Sequence, residues 1–159
     1  MAPGDRLPDL TLAATGGHDL RLRELIGAPL VLYFYPKDAT PGCTTQAQGF
    51  AAASARFAAA GFRVIGVSRD SMASHERFRA KHRLDFQLIA DTDETLCRAF
   101  DVIKEKSMYG RTVMGIERST FLFDAKGVLT HAWRGLKVPG HVDTVLAAVE
   151  APAPAASSS

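Results

Sequence analysis

One cysteine in this chain has the surroundings that a reactive sulfur needs. An apolar run from Pro29 to Tyr35 stops at Pro36 and is followed by turn-forming residues, Asp38 to Gly42. Such a run is typical of a buried strand. The strand is expected to end at Pro36, because proline has no N–H to donate to a neighbouring strand. Helix-forming residues then extend from Cys43 to about Ala60. The sequence therefore predicts strand, turn and helix, with Cys43 at or near the helix N-terminus.

A helix N-terminus stabilises a thiolate. The first N–H groups of a helix have no partner inside it and carry partial positive charge. Because the thiolate is the nucleophilic form of cysteine, this position predicts a reactive sulfur at neutral pH. The alternative is a small buried hydrophobe, since free cysteine is among the most buried residue types. The strand–turn–helix setting of Cys43 favours the reactive interpretation.

Thr40 lies three residues before Cys43, in the same turn. Its hydroxyl can accept one hydrogen bond and donate another, so it could bridge the sulfur and an incoming oxygen. Threonine is also a good helix N-cap. The two roles are compatible, and the sequence leaves both open.

Pro36, Thr40 and Cys43 have the spacing P-x-x-x-T-x-x-C. The segment YPKDATPGCTTQA, residues 35–47, resembles the active site of the peroxiredoxins, and most closely that of the peroxiredoxin Q subfamily, also called bacterioferritin comigratory protein. The segments KEKSMYGR and GIERSTF, residues 104–111 and 115–121, also resemble this subfamily. The opening residues DRLPDL resemble the point where the subfamily's chain enters the fold.

The resemblance implies a thiol-dependent peroxidase that reduces hydrogen peroxide and organic hydroperoxides. Cys43 would be the peroxidatic cysteine, oxidised to a sulfenic acid. Thr40 would orient the peroxide, and Pro36 would shield the sulfur and shape the pocket. The N–H groups of Gly42 and Cys43 would donate to the peroxide oxygens.

The resemblance also implies roles for two further residues. Arg118 matches the family's active-site arginine, whose permanent charge favours the thiolate and can donate to substrate. Taken alone, an arginine at the start of a strand is usually a solvated charge. Gln46, about one helical turn after Cys43, would hold this arginine within a substrate-binding site. Lys37, Asp38 and Arg111 are expected to be solvated.

The chain departs from the subfamily at position 48. Many members carry a resolving cysteine five residues after the peroxidatic one, and Gln48 stands there in this chain. The remaining thiol, Cys97, has apolar neighbours that favour a buried, inert role, although it is a possible resolving residue. A disulfide to Cys43 needs Cα atoms within about 7 Å, so the active-site helix would have to unwind. The expectation is a one-cysteine mechanism, in which thioredoxin or another external thiol resolves the sulfenic acid.

Composition limits the other possibilities. The chain has 159 residues, 47% of them hydrophobic, and a net charge of +2 from 19 basic and 17 acidic residues. This near-balance of positive and negative charge gives no indication of a nucleic-acid-binding surface. No apolar run approaches the ~20 residues of a membrane span. The N-terminus lacks the regions of a signal peptide, so a cytoplasmic location is expected. No cofactor is implied, and the subfamily suggests a monomer. His75 and His82 are expected on a helix surface rather than in a metal site.

The order of elements predicts an α/β fold with a mixed central sheet. The resemblance sharpens this to a thioredoxin-like domain over residues 1–150, with an extra N-terminal hairpin. Residues 101–116 show a poor pattern and are predicted to form a long exposed loop. Residues 151–159 contain only Pro, Ala and Ser and are predicted to be a disordered tail.

A different function could use the same cysteine. A redox-sensing or holdase protein would also need a reactive Cys43, but without significant turnover. Thr40 and Arg118 favour the enzyme, because a sensor needs less positioning of the peroxide. A chain that has lost activity is the third alternative, and an unreactive Cys43 would indicate it.

Overall fold

The structure is a computed structural model that describes residues 1–151. Apart from Ala151, the predicted tail lies outside the described residues. The described elements, in chain order, are β1 (Thr11–Ala13), β2 (Asp19–Arg21), a 3₁₀ turn (Leu22–Leu25), β3 (Leu30–Phe34), α1 (Pro41–Ala52), α2 (Ser54–Ala59), β4 (Arg63–Ser68), α3 (Met72–His82), β5 (Gln87–Ala90), α4 (Thr95–Ala99), β6 (Ile103–Met108), β7 (Arg111–Ile116), β8 (Ser119–Phe123), β9 (Leu129–Trp133) and α5 (His141–Glu150).

A five-stranded mixed sheet forms the centre of the fold. Its strand order is β5-β4-β3-β8-β9. Strands β3, β4 and β5 are parallel, whereas β8 runs antiparallel to β3 and β9 antiparallel to β8. Strands β1 and β2 pair as a separate antiparallel hairpin before the sheet. The predictions of a mixed sheet and an N-terminal hairpin are confirmed.

The central strand β3 divides the core into two clusters. All five of its residues are buried, and successive side chains of a strand point to opposite faces. Val31 and Tyr33 pack with α1, α2, α3 and α5 on one face. Leu32 and Phe34 pack on the other face with α4, the N-terminal hairpin and the ends of β6 and β7. Each face of the sheet is therefore covered, as the uninterrupted apolar run predicts.

A glycine in β4 makes room for an aromatic residue under α1. A Cβ atom on Gly66 would lie 2.9 Å from the hydroxyl of Tyr33 and 2.9 Å from Leu88. The ring of Tyr33 can therefore lie over β4, where it stacks on Phe50 of α1 with ring centroids 4.6 Å apart. This packing fixes α1, and hence its first turn, on the sheet.

The prediction of a loop over residues 101–116 is wrong. Strands β6 and β7 form a two-stranded antiparallel ribbon. The turn residues Tyr109 and Gly110 both have positive φ, 53° and 75°, as a two-residue hairpin turn of the right twist requires. Most side chains of the ribbon face solvent. Its sequence therefore lacks the alternation of apolar and polar residues by which a strand is predicted. The predicted helix 43–60 is likewise two helices, divided at Ala53.

Among residues 1–151, no helix combines the length and the apolar character that crossing a membrane requires.

Candidate active site

Cys43 lies in the first turn of α1. The helix begins at Pro41, a favoured first residue because its missing N–H needs no partner there. The first backbone hydrogen bond runs from Thr44 N to Thr40 O, at 2.9 Å. In the described residues, the N–H groups of Gly42 and Cys43 thus have no intrahelical acceptor, which leaves them available to a ligand oxygen. The Cys43 residue is 1% exposed and belongs to the cluster under α1.

Tertiary structure brings Arg118 to this sulfur. Arg118 precedes β8, which lies beside β3 in the sheet. Its Nη2 donates to Cys43 Sγ at 3.4 Å, and its Nη1 donates to Gln46 Oε1 at 2.7 Å. A guanidinium is always charged and presents donors in a fixed fork. This contact therefore places a permanent positive charge directly beside the sulfur.

Gly42 allows the guanidinium to approach. A Cβ atom at position 42 would lie 3.3 Å from Arg118 Nη2. Any larger residue would press on the guanidinium beside the sulfur. The close approach of the guanidinium therefore explains a glycine at this position.

Gln46 is fully buried between the helix and the arginine. Its carbonyl oxygen receives Arg118, while its amide nitrogen has no hydrogen-bond partner among the described residues. Reversing the amide would aim two donors at each other, so this orientation follows from the contact. The substrate-binding role predicted for Gln46 stays a prediction.

Thr40 and Pro36 flank the turn before α1. Thr40 occupies the N-cap position, but its side chain makes no capping bond; its hydroxyl donates to Lys37 O at 2.8 Å. The lone pairs of this hydroxyl stay available as acceptors. Pro36 is half-buried in the bend that follows β3. Its shielding of the sulfur stays a prediction.

Cys97 lies on the other side of the sheet from Cys43. It is fully buried in the cluster that contains Phe34 and α4, whereas Cys43 belongs to the cluster that contains Tyr33 and α1. Burial raises the pKa of the Cys97 thiol, and Asp91 raises it further. The two cysteines are free. With a sheet between them they are not placed to form a disulfide, so the structure disfavours Cys97 as a resolving residue.

Two residues expected at the surface are buried beside the active-site turn. Asp38 is 5% exposed and His75 is fully buried, with His75 Nδ1 2.7 Å from Asp38 Oδ2. The expectations of a solvated Asp38 and a surface His75 are therefore wrong. Burial raises the pKa of Asp38, but hydrogen bonds from His75, Tyr35 and Ser74 together with the charge of His75 outweigh it and hold the pKa below 3.8. No local signal marks either residue, because the contact joins a loop to α3.

Asp70 completes this polar cluster. Its carboxylate accepts from Asp38 N at 2.8 Å and from Ser68 Oγ at 2.5 Å. Ligand-type atoms of Asp38, Asp70 and His75 lie within 4.8 Å of one another, a spacing that a metal ion could use. The hydrogen bonds within the cluster already explain why these three side chains lie together.

His141 should make the protein less stable in mild acid. It is buried at the start of α5, with Nε2 2.8 Å from Thr120 Oγ1. Burial, with a further contribution from Arg118, lowers the pKa of His141 from 6.5 to about 4. The unfolded chain thus binds this proton at a higher pH than the folded protein does, so the stability that His141 contributes is lost as pH falls from about 6.5 to about 4.

We expect His141→Gln to flatten the decline in unfolding free energy across that pH interval, measured by urea denaturation at a series of pH values. His131→Gln is the control, because His131 is exposed on β9. An unchanged pH slope in His141→Gln would show that another group carries the acid sensitivity.

Comparison with known proteins defines the class. The fold matches solved thioredoxin-like peroxiredoxins. A cysteine-to-serine variant of PrxQ from Xylella fastidiosa superposes with a TM-score of 0.90 at 45% identity, covering 94% of this chain and 96% of that one. The bacterioferritin comigratory protein of Xanthomonas campestris superposes with a TM-score of 0.85 at 55% identity, covering 89% and 90% of the two chains. The protein is thus a thiol peroxidase that works through a peroxidatic cysteine.

Sequence comparison gives the family. The AhpC/TSA family model matches residues 3–132. Peroxiredoxin Bcp of Xanthomonas campestris is 56% identical over 143 residues, covering 90% of this chain and 89% of that protein. Peroxiredoxin Bcp of Bacillus subtilis is 47% identical, with coverage of 90% and 91%. The chain belongs to the AhpC/TSA family and, within it, to the Bcp or peroxiredoxin Q group.

Proposed function

We propose that Cys43 is the peroxidatic cysteine of this peroxidase. The observation that carries the proposal is the 3.4 Å contact between Arg118 Nη2 and Cys43 Sγ at the N-terminus of α1. An arginine charge and a helix N-terminus on one sulfur are two independent means of stabilising a thiolate. In our proposal the same two groups stabilise the charge that develops on the peroxide oxygens.

The reaction needs one displacement at oxygen. The Cys43 thiolate attacks the terminal oxygen of the hydroperoxide, an S–O bond forms and the O–O bond breaks. The departing oxygen takes up a proton and leaves as water or an alcohol, while the sulfur is oxidised to a sulfenic acid. Thr40 and the N–H groups of Gly42 and Cys43 would hold the peroxide in line with the sulfur, and Pro36 would exclude water from it.

The proposed substrates are hydrogen peroxide and organic hydroperoxides. The Xanthomonas campestris relative has been studied for alkyl peroxide reduction in trapped intermediate and ligand complexes. Its 55% identity with this chain supports an organic substrate here as well. In this proposal Gln46 contributes to substrate binding by keeping the fork of Arg118 in place.

We further propose that an external thiol, thioredoxin in particular, resolves the sulfenic acid. Position 48 carries an exposed glutamine, 3.4 Å from His82 Nδ1, and Cys97 lies across the sheet. A one-cysteine mechanism is therefore the simplest mechanism that these two positions support. The proposal also includes a monomer that acts in the cytoplasm, where free thiols such as Cys43 and Cys97 persist.

Intact mass after one equivalent of hydrogen peroxide tests the one-cysteine mechanism. We expect the protein to gain one oxygen atom, or the mass of a sulfenic-acid trapping reagent, with no loss of hydrogen. One equivalent of a small thiol should then condense with the sulfenic acid, releasing water and giving a mixed disulfide at Cys43 rather than an internal one.

Cys97→Ala is the matched control, and it should give the same masses as the native chain. Loss of two hydrogens in the native chain but not in Cys97→Ala would mean that Cys97 resolves Cys43. The one-cysteine proposal would then be wrong, while Cys43 could still be the peroxidatic residue.

A further inference from the structure

The turn before Cys43 is anchored at a single buried carboxylate. Asp38 Oδ1 accepts from the Tyr35 hydroxyl at 2.6 Å. Asp38 Oδ2 accepts from Ser74 Oγ at 2.8 Å and lies 2.7 Å from His75 Nδ1. The backbone N–H of Asp38 donates to Asp70 Oδ2 at 2.8 Å. The residue after β3, helix α3 and the loop after β4 thus all hold one residue of the turn.

Both ring nitrogens of His75 make hydrogen-bond contacts. Nδ1 faces the Asp38 carboxylate, and Nε2 lies 2.9 Å from the carbonyl oxygen of Ile89. Nδ1 thus faces a carboxylate oxygen and Nε2 a backbone carbonyl oxygen, so each ring nitrogen is placed to share a proton with an acceptor. His75 therefore links β5 to the active-site turn through Asp38.

The anchored turn is also strained. Ala39, between Asp38 and Thr40, has a φ of 62°, in the left-handed region that residues with a Cβ atom avoid. Such a conformation persists only where its surroundings determine it. Here the hydrogen bonds to Asp38 hold the residue before Ala39 in place. The bond from Thr40 Oγ1 to Lys37 O holds the turn from within.

We propose that His75 is a positioning residue of the peroxidase, which acts through Asp38 to fix the turn that presents the Thr40 hydroxyl to the peroxide. This inference rests on the proposed function of Cys43 and Thr40. His75 itself touches neither the sulfur nor a substrate. Its effect should therefore appear in the reaction with peroxide and be absent from reactions of Cys43 that do not use Thr40.

Two amide variants separate the two contacts of His75. In His75→Asn the amide nitrogen is as many bonds from the backbone as Nδ1, so the donor to Asp38 is kept and the donor to Ile89 O is lost. In His75→Gln the amide nitrogen corresponds to Nε2, so the donor to Ile89 O is kept and the donor to Asp38 is lost. Each variant therefore removes one of the two buried hydrogen bonds of His75 and keeps the other.

We expect His75→Gln to lower the second-order rate of Cys43 oxidation by hydrogen peroxide about 10-fold or more, whereas His75→Asn stays within about threefold of the native rate. Alkylation of Cys43 by iodoacetamide should change less than about threefold in both, because it needs the thiolate but not the peroxide geometry. His82→Gln, on the same helix α3, is the control and should leave both rates unchanged.

A double variant tests whether His75 acts through Thr40. We expect Thr40→Val to slow the oxidation of Cys43 by peroxide. Adding His75→Gln to Thr40→Val should then lower this rate by no more than a further factor of about two. If His75→Gln does not fold, Ser74→Ala removes another donor to Asp38 and should lower the oxidation rate about threefold, again without an effect on alkylation.

Equal losses in His75→Asn and His75→Gln, parallel changes in oxidation and alkylation, or additive losses in the double variant would each overturn the inference. All three would indicate a general structural role. A native protein whose Cys43 is not oxidised by peroxide would instead overturn the proposed function, so the two failures are distinguishable.

Discussion

Cys43→Ser should abolish peroxide turnover, with a loss of more than about 1,000-fold in kcat/KM, the order seen when an essential nucleophile is removed. Serine keeps the size and the hydrogen-bonding capacity of the side chain, but its hydroxyl is not ionised at neutral pH, and no other described cysteine lies on that face of the sheet. NADPH consumption with thioredoxin and thioredoxin reductase measures the effect.

The matched control is Cys97→Ala, which should keep turnover within about twofold of the native chain. Alanine is preferred to serine at this position because a hydroxyl would be buried in an apolar cluster. Equal losses in the two variants would contradict the assignment of Cys43. Oxidation of Cys43 by one equivalent of peroxide without continuing turnover would instead favour the redox-sensing or holdase function.

Arg118→Met should lower the second-order rate of Cys43 oxidation by about 100-fold or more. Methionine keeps the unbranched apolar stem of the side chain but removes the guanidinium, and with it the charge beside Cys43 Sγ and the donor to Gln46 Oε1. Loss of one preorganised donor at a developing charge costs about 100- to 1,000-fold. Stopped-flow measurement of the reaction with hydrogen peroxide, at fixed pH, gives this rate directly.

Two variants accompany this measurement. Arg118→Lys keeps a charge but cannot donate to Cys43 and Gln46 as a planar fork, so we expect a rate between those of the native chain and Arg118→Met. Arg111→Met removes an exposed arginine from β7 and should change the rate by less than about twofold. If Arg111→Met were as slow as Arg118→Met, the overall charge of the chain, and not the contact on the sulfur, would set the rate.

The predicted order of strands and helices needed only local patterns. The β3 segment is apolar throughout because both faces of the sheet are covered, and this continuous run is visible in the chain. The position of Cys43 near a helix N-terminus follows from the proline, the turn residues and the alanine-rich segment around it. Boundaries shifted by a few residues, as at Pro41, because helix ends depend on contacts that local composition does not encode.

The ribbon formed by β6 and β7 leaves no comparable pattern in the sequence. Its strands pair with each other, outside the central sheet, and most of their side chains face solvent. Without a buried face, strand pairing leaves no alternation of apolar and polar residues. The two positive φ values at its turn belong to a tyrosine and a glycine, and only the glycine suggests a turn in the sequence.

Residue types and their local order were enough to indicate the chemistry: a cysteine at the start of a helix, a threonine in the preceding turn, and a glutamine at position 48, where many members carry a resolving cysteine. The long-range contacts are visible only in the folded chain: Arg118 reaches the sulfur, Cys97 lies across the sheet, and Asp38 and His75 are buried together. The reason is physical. Helix ends and turns arise from neighbouring residues, whereas ion pairs and buried hydrogen bonds join segments that meet only when the sheet has formed.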